Sequence, residues 1–289
     1  VIGSIVSAKE GEKSRSFDSA RHPLREEGRD LFLASEFRGE IAALDPDPRR
    51  LLVLGSGDGK EAAALRNHFP RAQVISLDLS EAEIAQGGAN LPLRGHLVRG
   101  DWDCLPFRAK CFDGAVFFAA LHHSQDLAAT LSELALALRP GGFVYATHEP
   151  LASLLWGKRQ RARMAEIGRE EGGIETSPSA REYREGFRRA GFEDLRISSC
   201  ALNWIRLMEM DQGFVDVLQR RSDWPERGMR RLVRLFRPLG RGFNSNLIFW
   251  VQKLALGLFG VTLSARLPRP SAERTLGETP RGEANSANV

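Results

Sequence analysis

Cysteine is scarce in this sequence: Cys104, Cys111 and Cys200 are the only three in 289 residues, and no two form a CxxC pair. An odd count without that spacing gives neither a disulfide framework nor a zinc knuckle, and it suits a reducing compartment. A strong excess of one charge is missing as well. The formal net charge is +4 and the pI is near 9.2. That mild basicity tolerates an anionic partner but lacks the clustered footprint of a nucleic-acid binder. No internal repeat is visible. No charged-then-apolar leader opens the sequence at Val1, so no signal peptide is expected within it, and a cytoplasmic location is the expectation. The length allows a substantial core, organised as one large domain with terminal additions rather than as two small domains.

Residues 1–23 are polar and mixed in charge and read as a flexible arm. Within 24–44, Leu31, Phe32, Leu33, Phe37, Ile41 and Leu44 recur at helical spacing until Asp45-Pro46-Asp47-Pro48 stops the run. Leu51–Leu54 then predicts a first strand, Glu61–Phe69 a helix, Val74–Leu77 a second strand, Glu81–Gly87 a helix, and His96–Val98 a short third strand. Gly114–Phe118 predicts the fourth strand and Leu127–Leu138 a helix stopped by Arg139-Pro140-Gly141-Gly142. Phe143–Ala146 predicts the fifth strand. Ala180–Ala190, closed by Gly191, predicts a helix, and Leu195–Ser199 a sixth strand. Strands alternating with helices imply an α/β fold with a doubly wound, mostly parallel sheet covered on both faces.

The first strand runs into Gly55-Ser56-Gly57-Asp58-Gly59. In such sheets ligands settle beyond the carboxyl ends of the strands where the winding direction switches, and this turn usually lies there. Glycines let the backbone approach a ligand, and the helix N-terminus that follows offers unpaired N–H groups to an anion. The dinucleotide fingerprint GxGxxG fails, because its last glycine would fall at Lys60. The phosphate loop GxxxxGK[ST] fails too, since Gly59-Lys60 is followed by Glu61. Asp78 ends the second strand about twenty residues beyond the loop, where a carboxylate accepts hydrogen bonds from a ribose diol. Asp101 and Trp102 add a carboxylate that can accept from an adenine amino group and a ring that can pack on the base. Turn and core roles for that pair remain equally open.

These segments, in order and spacing, resemble the class I, seven-stranded S-adenosylmethionine-dependent methyltransferases. The resemblance is carried by Val53-Leu54-Gly55-Ser56-Gly57-Asp58-Gly59, Asp78, Gly100-Asp101-Trp102 with Leu105-Pro106-Phe107, and Phe112-Asp113. Leu121-His122-His123, Leu138-Arg139-Pro140-Gly141-Gly142 and Ala190-Gly191-Phe192 complete it. It covers about Arg50 to Ser199 and implies a Rossmann-like fold with S-adenosylmethionine as cofactor. It also implies cofactor contacts at Gly55, Ser56, Gly57, Asp58, Gly59, Asp78, Leu79, Asp101, Trp102 and Ala119. Many members carry an acidic residue two positions before the first loop glycine; here that position is Val53.

A sulfonium carries its own leaving group, so the protein has mainly to align a nucleophile with the methyl carbon and exclude water, and no metal is demanded. A hydroxyl acceptor also needs a base. His122, His123, His148 and Glu149 lie just beyond strands four and five, with His122 and His123 as first choices and Glu149 as a further catalytic candidate. The family's Asn/Asp-Pro-Pro-aromatic element is absent after strand four, where Ala119-Ala120-Leu121-His122 stands. Exocyclic amines of bases and glutamine amides are therefore disfavoured as substrates.

Residues 24–200 form the expected core, and 201–267 a carboxyl-terminal extension completing the fold. From Arg227 to Arg241 six arginines fall largely on one helical face opposite Leu232, Val233, Leu235, Phe236 and Leu239. Such a stretch suits an anionic membrane surface, an acidic substrate, or plain packing on the sheet. Asn246–Lys253 is the expected last, antiparallel strand; alternatively Leu247–Leu263 is one apolar helix, core or interfacial rather than spanning. Residues 268–289 read as a disordered tail. The functional expectation is methyl transfer, mainly to oxygen, on a small or lipid- or sugar-linked acceptor, with peripheral contact to the inner face of a membrane as an option. The alternatives are RNA methylation, prompted by Lys158, Arg159, Arg161 and Arg163, and a cofactor-binding partner protein without turnover, prompted by Val53.

Overall fold

The computed structural model describes residues 40–90, 97–155, 157–171, 173–199 and 260–269. In chain order the helices are α1 (Glu40–Leu44), α2 (Lys60–His68), α3 (Glu81–Asn90), α4 (Leu127–Ala137), α5 (Gly157–Glu171) and α6 (Ala180–Arg189). The strands are β1 (Arg50–Leu54), β2 (Gln73–Asp78), β3 (Leu97–Arg99), β4 (Phe112–Phe118), β5 (Leu138–Glu149), β6 (Glu193–Ser199) and β7 (Val261–Arg266). They form one seven-stranded sheet in the order β3-β2-β1-β4-β5-β7-β6. The β3, β2, β1, β4 and β5 neighbours pair in parallel, whereas β7 runs antiparallel to both β5 and β6. The winding direction reverses between β1 and β4, which puts the Gly55–Gly59 turn at the switch point.

Alternation along the strands sorts side chains onto two faces. Leu52, Leu54, Ala115, Phe117, Val144 and Ala146 pack with Leu131, Leu134, Tyr183 and Phe187. Leu51, Val53, Val116, Phe143 and Tyr145 pack with Ile41, Ala62 and Leu65 on the other face. Each such aliphatic side chain, taken fully out of water, contributes on the order of 2 kcal/mol. Helix starts follow local chemistry. Asp126 caps α4 by accepting from Ala128 N and Ala129 N at 3.0 and 3.1 Å, and Ser179 with Glu182 forms a capping box at α6. At the amino-terminal edge, Asp113 accepts from the backbone N–H groups of Arg49 and Arg50 and pairs with Arg139, binding the start of β1 to β4.

The predicted core elements are found, with their ends moved by a few residues. The fifth strand is longer than expected, because Leu138–Gly142 joins it instead of forming only a turn. Helix α5 had no predicted counterpart. The last strand is corrected: it is Val261–Arg266, not Asn246–Lys253, and its Val261, Leu263 and Ala265 are buried between β5 and β6. That also overturns a single helix running through Leu263, since 261–263 is strand; 246–259 lies outside the described residues. So do the expected arm at 1–23, most of the helix at 24–44, the arginine face at 227–241, and most of the tail. No helix among the described residues is long and apolar enough to cross a membrane.

Candidate active site

Strand register brings the expected site residues to one edge. Leu54 pairs with Leu77 and Phe117, so the loop after β1, Asp78 at the end of β2 and Ala119 after β4 are neighbours. Glu149 closes β5 on the same side. Gly55, Gly57 and Gly59 all adopt left-handed φ, of 64°, 51° and 80°, a conformation that side chains resist. A Cβ at Gly55 would lie 2.7 Å from Ala120 Cβ and 2.9 Å from the Trp102 ring, so only glycine fits between them. The backbone is thereby left bare at Gly55.

Asp78 holds the loop. Its Oδ2 accepts from Gly57 N at 2.7 Å and its Oδ1 from Ser80 N at 2.9 Å. Each carboxylate oxygen can accept more than one hydrogen bond, so a ribose diol can be added to this arrangement. Ser80 Oγ in turn accepts from Glu83 N at 3.1 Å and fixes the start of α3; Leu79, between them, is half-buried. Asp58 pairs with Lys60 at 2.9 Å. Gly87 was not singled out in the sequence. A Cβ there would meet the Asp58 carbonyl oxygen at 2.4 Å, so its bare backbone lets α3 close against the loop. Trp102 is half-buried, edge-on to Phe117 at 6.1 Å, and Asp101 accepts from Asp103 N at 3.0 Å. Both turn and packing roles are thus realised, in a place that also borders the glycine loop. Val53 points into the apolar cluster under α2.

On the other side of the loop, β4 ends in a strained step: Ala119 has φ 48° and donates its N–H to Thr147 O at 2.8 Å. A single 3-10 turn, Leu121–His123, follows. Glu149, fully buried, accepts from Ala120 N, Leu121 N and His122 N at 3.0, 2.9 and 3.0 Å, and from His122 Nδ1 at 2.8 Å. Glu175, in the segment after α5, adds a second buried carboxylate, with Oε2 3.2 Å from His122 Nε2. Burial works against an imidazolium at His122, but the charge of Glu175 and the hydrogen bond to Glu149 outweigh it and raise its pKa to about 9. Burial, helped by the charge of His122, lowers His123 to about 4. His123 Nδ1 meets the Ile174 carbonyl oxygen at 2.6 Å and its ring lies 4.2 Å from that of His122. His148 is buried against Phe118, with ring centroids 4.6 Å apart, and burial lowers its pKa to about 3.

His122, His123 and Glu149 are therefore brought together, while His148 lies on Phe118. Glu175 was missed, because nothing in its local sequence marks it; only the return of the chain after α5 places it under the histidines. Of the basic residues that prompted an RNA reading, Arg161 is paired with Glu182 at 2.9 Å and Arg163 with Glu166 at 2.6 Å.

Residues 52–146 match the family model described as a methyltransferase domain. The chain is 27% identical over 205 residues to a malonyl-[acyl-carrier protein] O-methyltransferase of Methylococcus capsulatus, covering 67% of each protein. It is 32% identical over 121 residues to a fatty-acid O-methyltransferase of Mycolicibacterium smegmatis, covering 39% of this chain and 42% of that protein. The second match thus spans under half the length of the relative. In fold, a putative sarcosine dimethylglycine methyltransferase from Galdieria sulphuraria superimposes with a TM-score of 0.56 at 19% identity, over 83% of this chain and 85% of that one. Sheet order, glycine turn and carboxylate together define a Rossmann-like methyltransferase core. The matched segment, 52–146, carries a methyltransferase domain on a class I fold, and S-adenosylmethionine is the cofactor of that domain. The loop with glycine at every second position and the carboxylate fixed at its mouth fit that molecule.

Proposed function

We propose that the chain transfers a methyl group from S-adenosylmethionine to a carboxylate oxygen of a small, carrier-linked or lipid-linked acyl acceptor. The observation that carries this reading is how the candidate bases are engaged. Glu149 accepts four hydrogen bonds, His122 lies buried between two carboxylates, and His148 is buried on Phe118. An acceptor that arrives ionised needs no proton removed, whereas an alcohol does. Two of the matched relatives are named for O-methylation, one of a malonyl carrier and one of a fatty acid. Leu154 and Leu155, just beyond β5, are 65% and 68% exposed and offer an apolar surface to an acyl chain.

When bound, the cofactor supplies an electrophilic methyl carbon on a sulfonium. In this reading Gly55, Gly57 and Gly59 pass close to its methionine part, Asp78 accepts from the ribose hydroxyls, and Asp101 with Trp102 flanks adenine. Glu149 fixes the 121–123 turn, so that Ala119, His122 and His123 form the acceptor-side floor and keep water out. A second reading, methylation of a hydroxyl, is favoured by the partial exposure of His123.

Labelled-methyl transfer onto matched fatty acids, acyl-carrier dicarboxylates, alcohols and quinols tests the choice. Methyl ester formation is expected, with kcat/KM flat above about pH 6, once the acceptor carboxyl is ionised. Transfer confined to alcohols or to ring carbon contradicts it.

A further inference from the structure

We propose that His122, His123 and Glu175 bind one divalent transition-metal ion of zinc-like preference on the acceptor side of the sheet. One ligand atom from each residue lies within 4.8 Å of the others. His122 Nε2 and Glu175 Oε2 are 3.2 Å apart, yet His122 Nε2 makes no aligned hydrogen bond. A tetrahedral ion with bonds of about 2.0–2.1 Å holds its ligand atoms roughly 3.3 Å apart, so this edge already has the spacing of a metal site. Closing the remaining distances, which reach up to 4.8 Å, takes a contraction of up to about 1.5 Å.

The orientation of the His122 ring points the same way. His122 Nδ1 is anchored on Glu149 Oε2 at 2.8 Å and His123 Nδ1 on the Ile174 carbonyl at 2.6 Å. Glu149 is an acceptor, so the neutral His122 ring donates from Nδ1 and keeps the Nε2 lone pair on the Glu175 side, while His123 brings Nδ1 to 3.7 Å from Glu175 Oε1. Imidazole ligands are commonly oriented as His122 is, by a carboxylate or carbonyl behind the ring.

Two imidazoles and one carboxylate suit zinc, iron, cobalt or nickel better than magnesium or calcium, which prefer all-oxygen shells. The ion would tie the Ile174–Glu175 segment to the 121–123 turn. Three protein ligands leave a tetrahedral ion one position for water or an acceptor oxygen. That last role rests on the methyl-transfer reading, whereas binding does not.

The full chain, stripped with a chelator, is titrated with Zn2+ by calorimetry and against a chromophoric chelator, and Co2+ loading is followed by visible spectroscopy. One equivalent is expected, with a Kd of micromolar or tighter and tetrahedral Co2+ bands. Glu175→Gln and His123→Ala, checked for fold by circular dichroism, should weaken binding at least about tenfold. Cys104→Ser, which removes an exposed thiol, should leave it intact. Absence of uptake, octahedral Co2+ only, or equal uptake by folded Glu175→Gln overturns the site. Methyl transfer by stripped protein that takes up no metal removes the site and leaves the methyltransferase reading standing. Zinc uptake without any methyl transfer does the reverse.

Discussion

Replacing Glu149 with Gln should cost far more stability than an isosteric change normally does. The carboxylate is fully buried, and both oxygens are doubly used. Oε1 accepts from Ala120 N and Leu121 N; Oε2 accepts from the backbone and ring nitrogens of His122. Whichever way the Gln amide is turned, its NH2 faces two donors. Hydrogen bonds to an ionised acceptor contribute about 1.5–3 kcal/mol each, so losing two removes about 3–6 kcal/mol, out of a total of roughly 5–15 kcal/mol for a domain. Urea unfolding of metal-free protein, followed by far-ultraviolet circular dichroism, reads this as a lower midpoint with an unchanged slope. A loss below about 1 kcal/mol would refute the reasoning, because it would mean that the four donors find other partners or water.

Two further changes test other parts of the account. His148 has its pKa lowered by burial to about 3, so the fold holds it neutral. Its contribution is complete above the unfolded value near 6.5 and drains away as pH falls from there toward 3, at up to about 1.4 kcal/mol per pH unit. Unfolding curves between pH 4 and 7 should therefore show a shallower acid decline in His148→Gln than in the wild type, and equal slopes would sink the assignment. Gly114 lies under the Phe143 ring, where an added Cβ would come within 2.3 Å of the ring. Gly114→Ala should destabilise by about 1–3 kcal/mol, with Phe143→Leu recovering part of it in the double variant; strictly additive losses would show that the ring is not the obstacle.

Much of the fold can be read in the sequence because its signals are local. Leu51–Leu54 and Gly114–Phe118 are apolar runs bounded by glycine or turn chemistry, and Ala190-Gly191 ends α6 with a left-handed glycine. The meeting of the glycine turn with Asp78 is legible for the same reason: a glycine turn and a carboxylate at fixed distances after two strands. The last strand is not legible by these means. Both 246–253 and 261–266 can be written as strands, and only pairing with β5 and β6 chooses the second. Helix α5 was missed since its sequence, Gly157–Glu171, is dominated by charge and has a thin apolar stripe, with Met164 and Ile167 the buried members. Glu175 escapes for a different reason. Its partners His122 and His123 are more than fifty residues away, and the burial that makes it important comes entirely from tertiary folding.

The measurement closest to the central claim is calorimetric titration of S-adenosylmethionine and its demethylated product into wild-type protein and Asp78→Asn. The account predicts one equivalent bound by the wild type. It predicts at least about tenfold weaker binding by the variant, the size of one or two lost charge-assisted hydrogen bonds, with both proteins unfolding cooperatively. No heat of binding with folded wild type, or equal affinity in the variant, would contradict it.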